Sequence, residues 1–126
     1  MSRPDPLAIL RLVRRTELEA ARLQVAEAFD RRQKAEHAMA AMASNLARER
    51  QCAEPSSYAS WAPAAQARLA TLTTHLKREE TAEVAAQHRL ATTKLAEQLI
   101  MDEQERRRKA ARRQRLAREQ RRLDDR

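Results

Sequence analysis

The chain contains no glycine, and its four prolines stand only at positions 4, 6, 55 and 63. Glycine is the usual residue at helix C-caps and in tight hairpin turns, and proline interrupts a helix interior. The other residues are dominated by strong helix formers such as Ala, Leu, Arg and Glu. Two long helices are therefore expected, and the chain can reverse direction only near residues 54–63.

The first helix is predicted over about residues 6–53, with Asp5 as its cap and Pro6 in its first turn. Steps of three and four residues from Leu18 trace a heptad pattern in which eight of nine positions are apolar. Leu7, Leu10 and Val13 extend this stripe in a slightly shifted register. The nine positions are Leu18, Ala21, Val25, Ala28, Arg32, Ala35, Met39, Met42 and Leu46.

A turn is predicted at residues 54–60, because Pro55 cannot continue the first helix. Ser60 is the expected N-cap of a second helix over about residues 61–122, with Pro63 tolerated in its first turn. A break this short favours antiparallel packing. The expected fold is all-α: residues 1–126 form one elongated two-helix coiled-coil hairpin.

The second helix has a less regular heptad pattern. Leu69, Leu72 and Leu76 begin it, and Glu80 and His88 then interrupt it. A continuation requires a shift of register, which is typical of a stutter. The continuation consists of Val84, Ala91, Leu95 and Leu99. Beyond Ile100 only Leu116 and Leu123 remain, so a basic end about 15 residues long is expected to extend past the first helix.

Positive charge is concentrated near the C-terminus. The formal net charge is +8, and residues 106–122 alone hold ten Lys or Arg and one acid, Glu119. Such a segment can bind an acidic protein surface, nucleic acid or anionic lipid. Nucleic acid is less favoured, because the run contains no aromatic residue and matches no known nucleic-acid module. A generic scaffold coiled coil that dimerises through residues 18–46 is a further alternative.

The sequence does not predict an enzyme, a metal site or a cofactor. His37, His75 and His88 are isolated, Cys52 is the single cysteine, and a glycine-rich phosphate-binding loop cannot form without glycine. No apolar run is long enough to cross a membrane, and the N-terminus lacks the hydrophobic region of a signal peptide. A cytoplasmic location is the resulting expectation.

Two of the three aromatic residues, Tyr58 and Trp61, fall in the predicted turn. Trp61 could fold back on Ala53, Ala64 or Ala65 and hold the turn together. It could equally anchor a partner, since Trp and Tyr are enriched at interface hot spots. Both roles remain open at this level.

Several segments resemble the FliJ/YscO-type central stalk proteins of flagellar and virulence type III secretion export. They are the N-terminal Arg3-Pro4-Asp5-Pro6-Leu7 followed by Leu10, the Ala/Arg-rich first helix, and the segment at residues 58–63. The resemblance implies a non-catalytic protein at the cytoplasmic side of the inner-membrane export apparatus. It leaves open whether the system is flagellar or a virulence system.

The resemblance also implies partners. In this family the paired helix ends enter a hexameric export ATPase, the hairpin tip reaches the cytoplasmic domain of the export gate, and some members bind export chaperones. The tip residues would be Tyr58 and Trp61. The ATPase would contact residues 7–22 and 106–122, chiefly Leu7, Leu10, Arg11, Arg14, Arg106, Arg107, Arg108, Arg112, Arg113 and Arg115.

Overall fold

The computed structural model describes residues 3, 5–52 and 54–125, and within them it contains two α-helices and no strand. Helix α1 spans Pro6–Cys52 and helix α2 spans Pro55–Asp124. The two helices pack against each other as an antiparallel hairpin. The predicted all-α two-helix fold is therefore confirmed.

The contacts between the helices divide the chain into two compact units. The terminal unit combines α1 up to Ala21 with α2 from Leu90 onward. The turn unit is Arg22–Arg89 and contains the reversal of the chain. Each unit is built from both helices, so each has its own interhelical contacts.

The start of α1 follows the predicted cap. Asp5 Oδ1 accepts a hydrogen bond of 3.1 Å from the backbone N–H of Leu7, and the Asp5 carbonyl accepts one of 3.2 Å from Ile9. These bonds satisfy amides that the first turn of a helix leaves without partners. Pro6 has no N–H to satisfy, which is why it is tolerated as the first helical residue.

The predicted turn at residues 54–60 is wrong, because α2 already begins at Pro55. Proline has a fixed φ suited to the first helical position, so Pro55 starts α2 while it stops α1. The Glu54 carbonyl then accepts the N–H of Tyr58 at 3.0 Å. Ser60 is an interior residue whose hydroxyl donates to the Ser57 carbonyl at 3.0 Å, and it is not the N-cap.

The helix limits shift accordingly. Pro63 lies inside α2 and not in its first turn, and α2 ends at Asp124, two residues beyond the prediction. Helix α1 ends at Cys52, and Ala53 lies outside the described residues. Since α2 has 70 residues and α1 has 47, the difference in length exceeds the predicted 15.

The heptad core predicted for α1 is confirmed from Leu18 to Leu46, since all nine positions are buried or half-buried. Its extension toward the N-terminus is only partly right. Leu7 is half-buried, but Leu10 and Val13 are exposed. The same steps of three and four residues place Arg11 and Arg14 at the core positions there, and both are half-buried.

The heptad core of α2 runs without a shift of register, so the predicted stutter is wrong. Leu69, Leu72 and Leu76 are half-buried as expected. Val84, Ala91, Leu95 and Leu99 are all exposed and do not continue the core. The positions that do are Ala62, Ala65, Leu69, Leu72, Leu76, Glu79, Glu83, Ala86, Leu90, Thr93, Glu97, Ile100 and Gln104.

Charged pairs explain why acidic residues stand in the core of the turn unit. Arg32 on α1 pairs with Glu83 on α2 and, at 2.6 Å, with Glu36 on its own helix. Arg31 pairs with Glu79 at 3.1 Å. Hydrogen bonds to Glu36 and then to Glu83 raise the pKa of Arg32 above its usual value. The pairing allows polar side chains to hold positions that apolar residues occupy elsewhere.

Candidate functional site

In the terminal unit, the start of α1 packs beside the beginning of the basic run of α2. Arg11 Nη1 donates a hydrogen bond of 3.1 Å to Gln104 Oε1 across the two helices. Leu7 and Arg11 line one shallow cleft together with Arg107 and Arg108. Four of the predicted site residues are therefore brought together. Asp5, Gln104 and Ala111 complete the cleft.

Two other predicted site residues of α1 are placed differently. Leu10 is exposed and does not line this cleft. Arg14 Nη1 pairs with Glu17 at 2.9 Å on its own helix. The Nε atom of Arg14 is buried and has no hydrogen-bond partner among the described residues. The Arg14 side chain nevertheless keeps 39% of its surface exposed.

The first arginines of the basic run have acidic neighbours on α2. Glu103 pairs with Arg106 at 3.2 Å and with Arg107 at 3.3 Å, and Glu105 pairs with Arg108 at 3.8 Å. All three arginine side chains are mostly exposed, and exposed pairs of this kind contribute little stability. These arginines remain available to a partner.

Beyond Ala111, α2 continues as a segment that we call the basic arm, residues 112–124. Every residue of the arm is exposed, including Leu116 and Leu123. At 1.5 Å per residue it extends for about 20 Å. In the described part of the chain, no ion pair joins Arg112, Arg113 or Arg115 to an acidic group.

The arginines of the basic arm do not form a single face. Successive residues of an α-helix are rotated by about 100°, so the six arginines point to all sides of the arm. The two leucines stand seven residues apart and create no continuous apolar stripe. The arm is therefore charged around its whole circumference. Its arginines are Arg112, Arg113, Arg115, Arg118, Arg121 and Arg122.

The terminal unit also exposes apolar side chains that lie within the predicted range 7–22 but were not named among its chief site residues. Ile9, Leu12 and Val13 are exposed on α1, next to the predicted Leu10. The signal was present in residues 7–13, where apolar residues occur at nearly every step.

The turn unit places the two predicted aromatic residues side by side. The rings of Tyr58 and Trp61 have centroids 6.3 Å apart and are tilted by 53°. Tyr58 is half-buried, while Trp61 keeps 36% of its surface exposed. Both line a groove with Glu49 of α1 and Ser57 of α2. The pair thus lies where the two helices meet, and Trp61 remains accessible.

Chemistry-bearing residues are otherwise dispersed. His37, His75, His88 and Cys52 are all exposed. Among the residues that the structure describes, no group of three or more His, Cys, Asp or Glu could hold a metal ion. Over the same residues, no helix is both long and apolar enough to cross a membrane.

No protein-family model, curated protein or solved structure matches this chain. The sequence resemblance to secretion stalk proteins therefore gains no support from relatives. The geometry of the two units is what bears on function.

Proposed function

We propose that this chain is a non-catalytic stalk protein of the FliJ/YscO type that links a hexameric export ATPase to an export gate. It would act at the cytoplasmic side of a flagellar or virulence type III secretion apparatus. The observation that carries the proposal is the basic arm, an exposed helix with arginines on every side. An enclosing partner fits such an arm better than a flat one does.

Electrostatics support an acidic, enclosing partner. A flat surface could contact only the arginines on one side of the arm, and the others would repel one another without compensation. Acidic groups arranged around the arm would pair with all six. Binding of this kind is steered by charge and weakens as salt screens it. The pore of a hexameric ring has the required shape.

The aromatic pair supports a second binding site in the turn unit. Trp61 is accessible in an open groove and is held in place by Tyr58. A half-exposed tryptophan with a fixed neighbour is the kind of anchor found at interface hot spots. We assign this groove to the cytoplasmic domain of the export gate. Export chaperones are the further class of partner that the resemblance implies.

A nucleic-acid-binding helical protein is the second candidate, and the charge of the basic arm is the observation in its favour. Arginines alone can bind phosphates without reading sequence. This candidate predicts that duplex DNA is shifted in a gel at physiological salt. It gives no role to Tyr58 and Trp61 in the turn unit.

The ATPase assignment is tested by measuring binding of the purified chain to the export ATPase of the same system. We expect the affinity to fall roughly tenfold or more as NaCl rises from about 0.05 to about 0.5 M. The variant R112E/R113E/R115E should lose binding by a similar factor at low salt. Its matched control, R48E/R50E/R68E, reverses three exposed charges in the turn unit and should bind nearly as the wild type. Binding that ignores both salt and the arm variant would contradict the assignment.

The gate assignment is tested with Trp61→Ala. This variant should weaken binding to the export-gate domain and leave ATPase binding unchanged, because Trp61 belongs to the turn unit. Circular dichroism serves as the folding control. Equal loss of binding to both partners would show that Trp61 serves the fold and not the gate.

A further inference from the structure

The outward side of the first two turns of α1 is apolar. Leu7 and Arg11 face α2, while Ile9, Leu10, Leu12 and Val13 are exposed. At about 100° per residue, Ile9, Leu12 and Val13 lie on the side of α1 opposite Leu7 and Arg11, and Leu10 lies on its flank. We call these four residues the apolar face of α1.

This arrangement is the reverse of the usual amphipathic helix. A helix that only packs in its own hairpin buries its apolar residues and exposes its charged ones. In the terminal unit, Arg11 and Arg14 occupy two core positions of α1, while aliphatic side chains of the same helix are exposed. The apolar face of α1 therefore keeps 41–63% of each residue exposed, although Leu12 also lines a cleft with Gln104 of α2.

Exposed apolar residues are concentrated in the terminal unit. Among the described residues, thirteen large hydrophobic residues are exposed, and nine of them belong to the terminal unit, although it contains fewer residues than the turn unit. Scattered exposed apolar residues are normal, but a cluster of them can mark a surface that binds another protein, and four of these nine stand together at residues 9–13. The nine are Ile9, Leu10, Leu12, Val13, Leu95, Leu99, Met101, Leu116 and Leu123.

We propose that the partner of the terminal unit is a protein that makes a two-part contact, with an apolar pocket on the apolar face of α1 and acidic walls around the basic arm. This inference rests on the proposed function and specifies the chemistry of the ATPase surface. Charge complementarity requires the acidic walls, because the arm carries six arginines and two acids. The aliphatic side chains require the apolar pocket.

The apolar pocket and the acidic walls together distinguish a protein partner from a nucleic acid or an anionic membrane. A nucleic acid presents phosphates to the arm but offers no apolar pocket for four aliphatic side chains. An anionic membrane offers an apolar interior and acidic headgroups, but its surface is flat, so it could contact only the arginines on one side of the arm. Only a protein surface supplies both parts at once.

The two parts respond differently to salt. Screening weakens the contacts of the arm, whereas burial of the apolar face is not reduced by salt. Binding should therefore fall with rising NaCl to a plateau and not to zero. The residual affinity at high salt measures the apolar part alone.

The test is the double variant I9S/L12S, with Leu23→Ser as the matched control. Leu12 and Leu23 are 63% and 60% exposed on the same helix, but Leu23 lies in the turn unit. Binding to the purified export ATPase is measured by biolayer interferometry at about 0.05 and about 0.5 M NaCl. We expect I9S/L12S to bind roughly tenfold to thirtyfold more weakly at both salt concentrations, and the control to change less than about twofold.

A conservative variant, I9V/L12M, keeps the apolar character and should retain binding. Circular dichroism melting of each variant shows whether the hairpin is intact. If I9S/L12S binds as tightly as the wild type at high salt, the apolar contact is refuted while the stalk function stands. If the wild-type chain binds no ATPase at either salt concentration and shifts duplex DNA equally with I9S/L12S, both the inference and the proposed function are overturned.

Discussion

The most buried side chain of the turn unit is that of an alanine, and enlarging it tests how closely the helices pack. Ala28 is 1% exposed, and Ala21 and Ala35 occupy the equivalent heptad position one repeat away. Small residues repeated at one core position allow two helices to approach closely. The variant Ala28→Leu inserts a larger side chain at the tightest of these positions.

Two opposing contributions determine whether Ala28→Leu raises or lowers the stability of the fold. If the helices left room, the three added carbon atoms would stabilise the fold by about 2 kcal/mol through burial. If the helices leave no room, overpacking lowers the free energy of unfolding by about 1–3 kcal/mol, because side chains are distorted and the backbone is displaced. Since Ala28 is almost inaccessible, the second term should win. The expected result is a melting temperature lower by roughly 3–12 °C for a chain of this size.

Thermal melts followed by circular dichroism at 222 nm measure this change. Ala26→Leu is the matched control, because Ala26 lies on the same helix of the same unit and is exposed. It should shift the melting temperature by no more than about 2 °C. An Ala28→Leu variant more stable than the wild type would refute close packing. It would mean that the helices stand far enough apart to accept leucine.

Two further predictions concern the charged residues. Arg32→Ala should lower the melting temperature more than Arg31→Ala, because the Arg32 side chain is 20% exposed and that of Arg31 is 53% exposed. Loss of the Arg32 side chain also leaves Glu83 without an opposite charge in the core. Equal shifts of the melting temperature for the two variants would contradict this prediction. Backbone amides of residues 112–124 should exchange with deuterium faster than those near Leu18, since the arm has no tertiary packing. Equal protection would mean that the arm has a packing partner within the chain.

The helical fold and the core of α1 could be predicted because local rules act in the same direction there. The absence of glycine, the capping residue Asp5 and a regular apolar repeat from Leu18 to Leu46 all favour one helix with one buried side. Pro55 was the exception. Proline is read as the end of a helix, but its fixed φ also starts one, so the reversal is shorter than expected.

The core of α2 could not be predicted because its polar positions are satisfied by residues far away in the sequence. Following apolar residues past Leu76 leads to Val84 and Leu95, both of which are exposed. Glu83 occupies the core position instead, because it forms an ion pair with Arg32, which lies 51 residues earlier in the sequence. Periodicity in one helix cannot reveal a counter-charge supplied by the other.

The two units differ in how many apolar side chains they leave exposed, although core arginines of both units are bonded within the chain. In the turn unit, core charges such as Arg32 and Glu83 are paired within the chain, so the hairpin is complete by itself there. In the terminal unit, Ile9 and Leu12 are exposed while Arg11 and Arg14 take core positions. These exposed aliphatic side chains are the ones that we propose to contact another protein. A partner that binds the apolar face of α1 should for this reason stabilise the folded terminal unit as well as bind it.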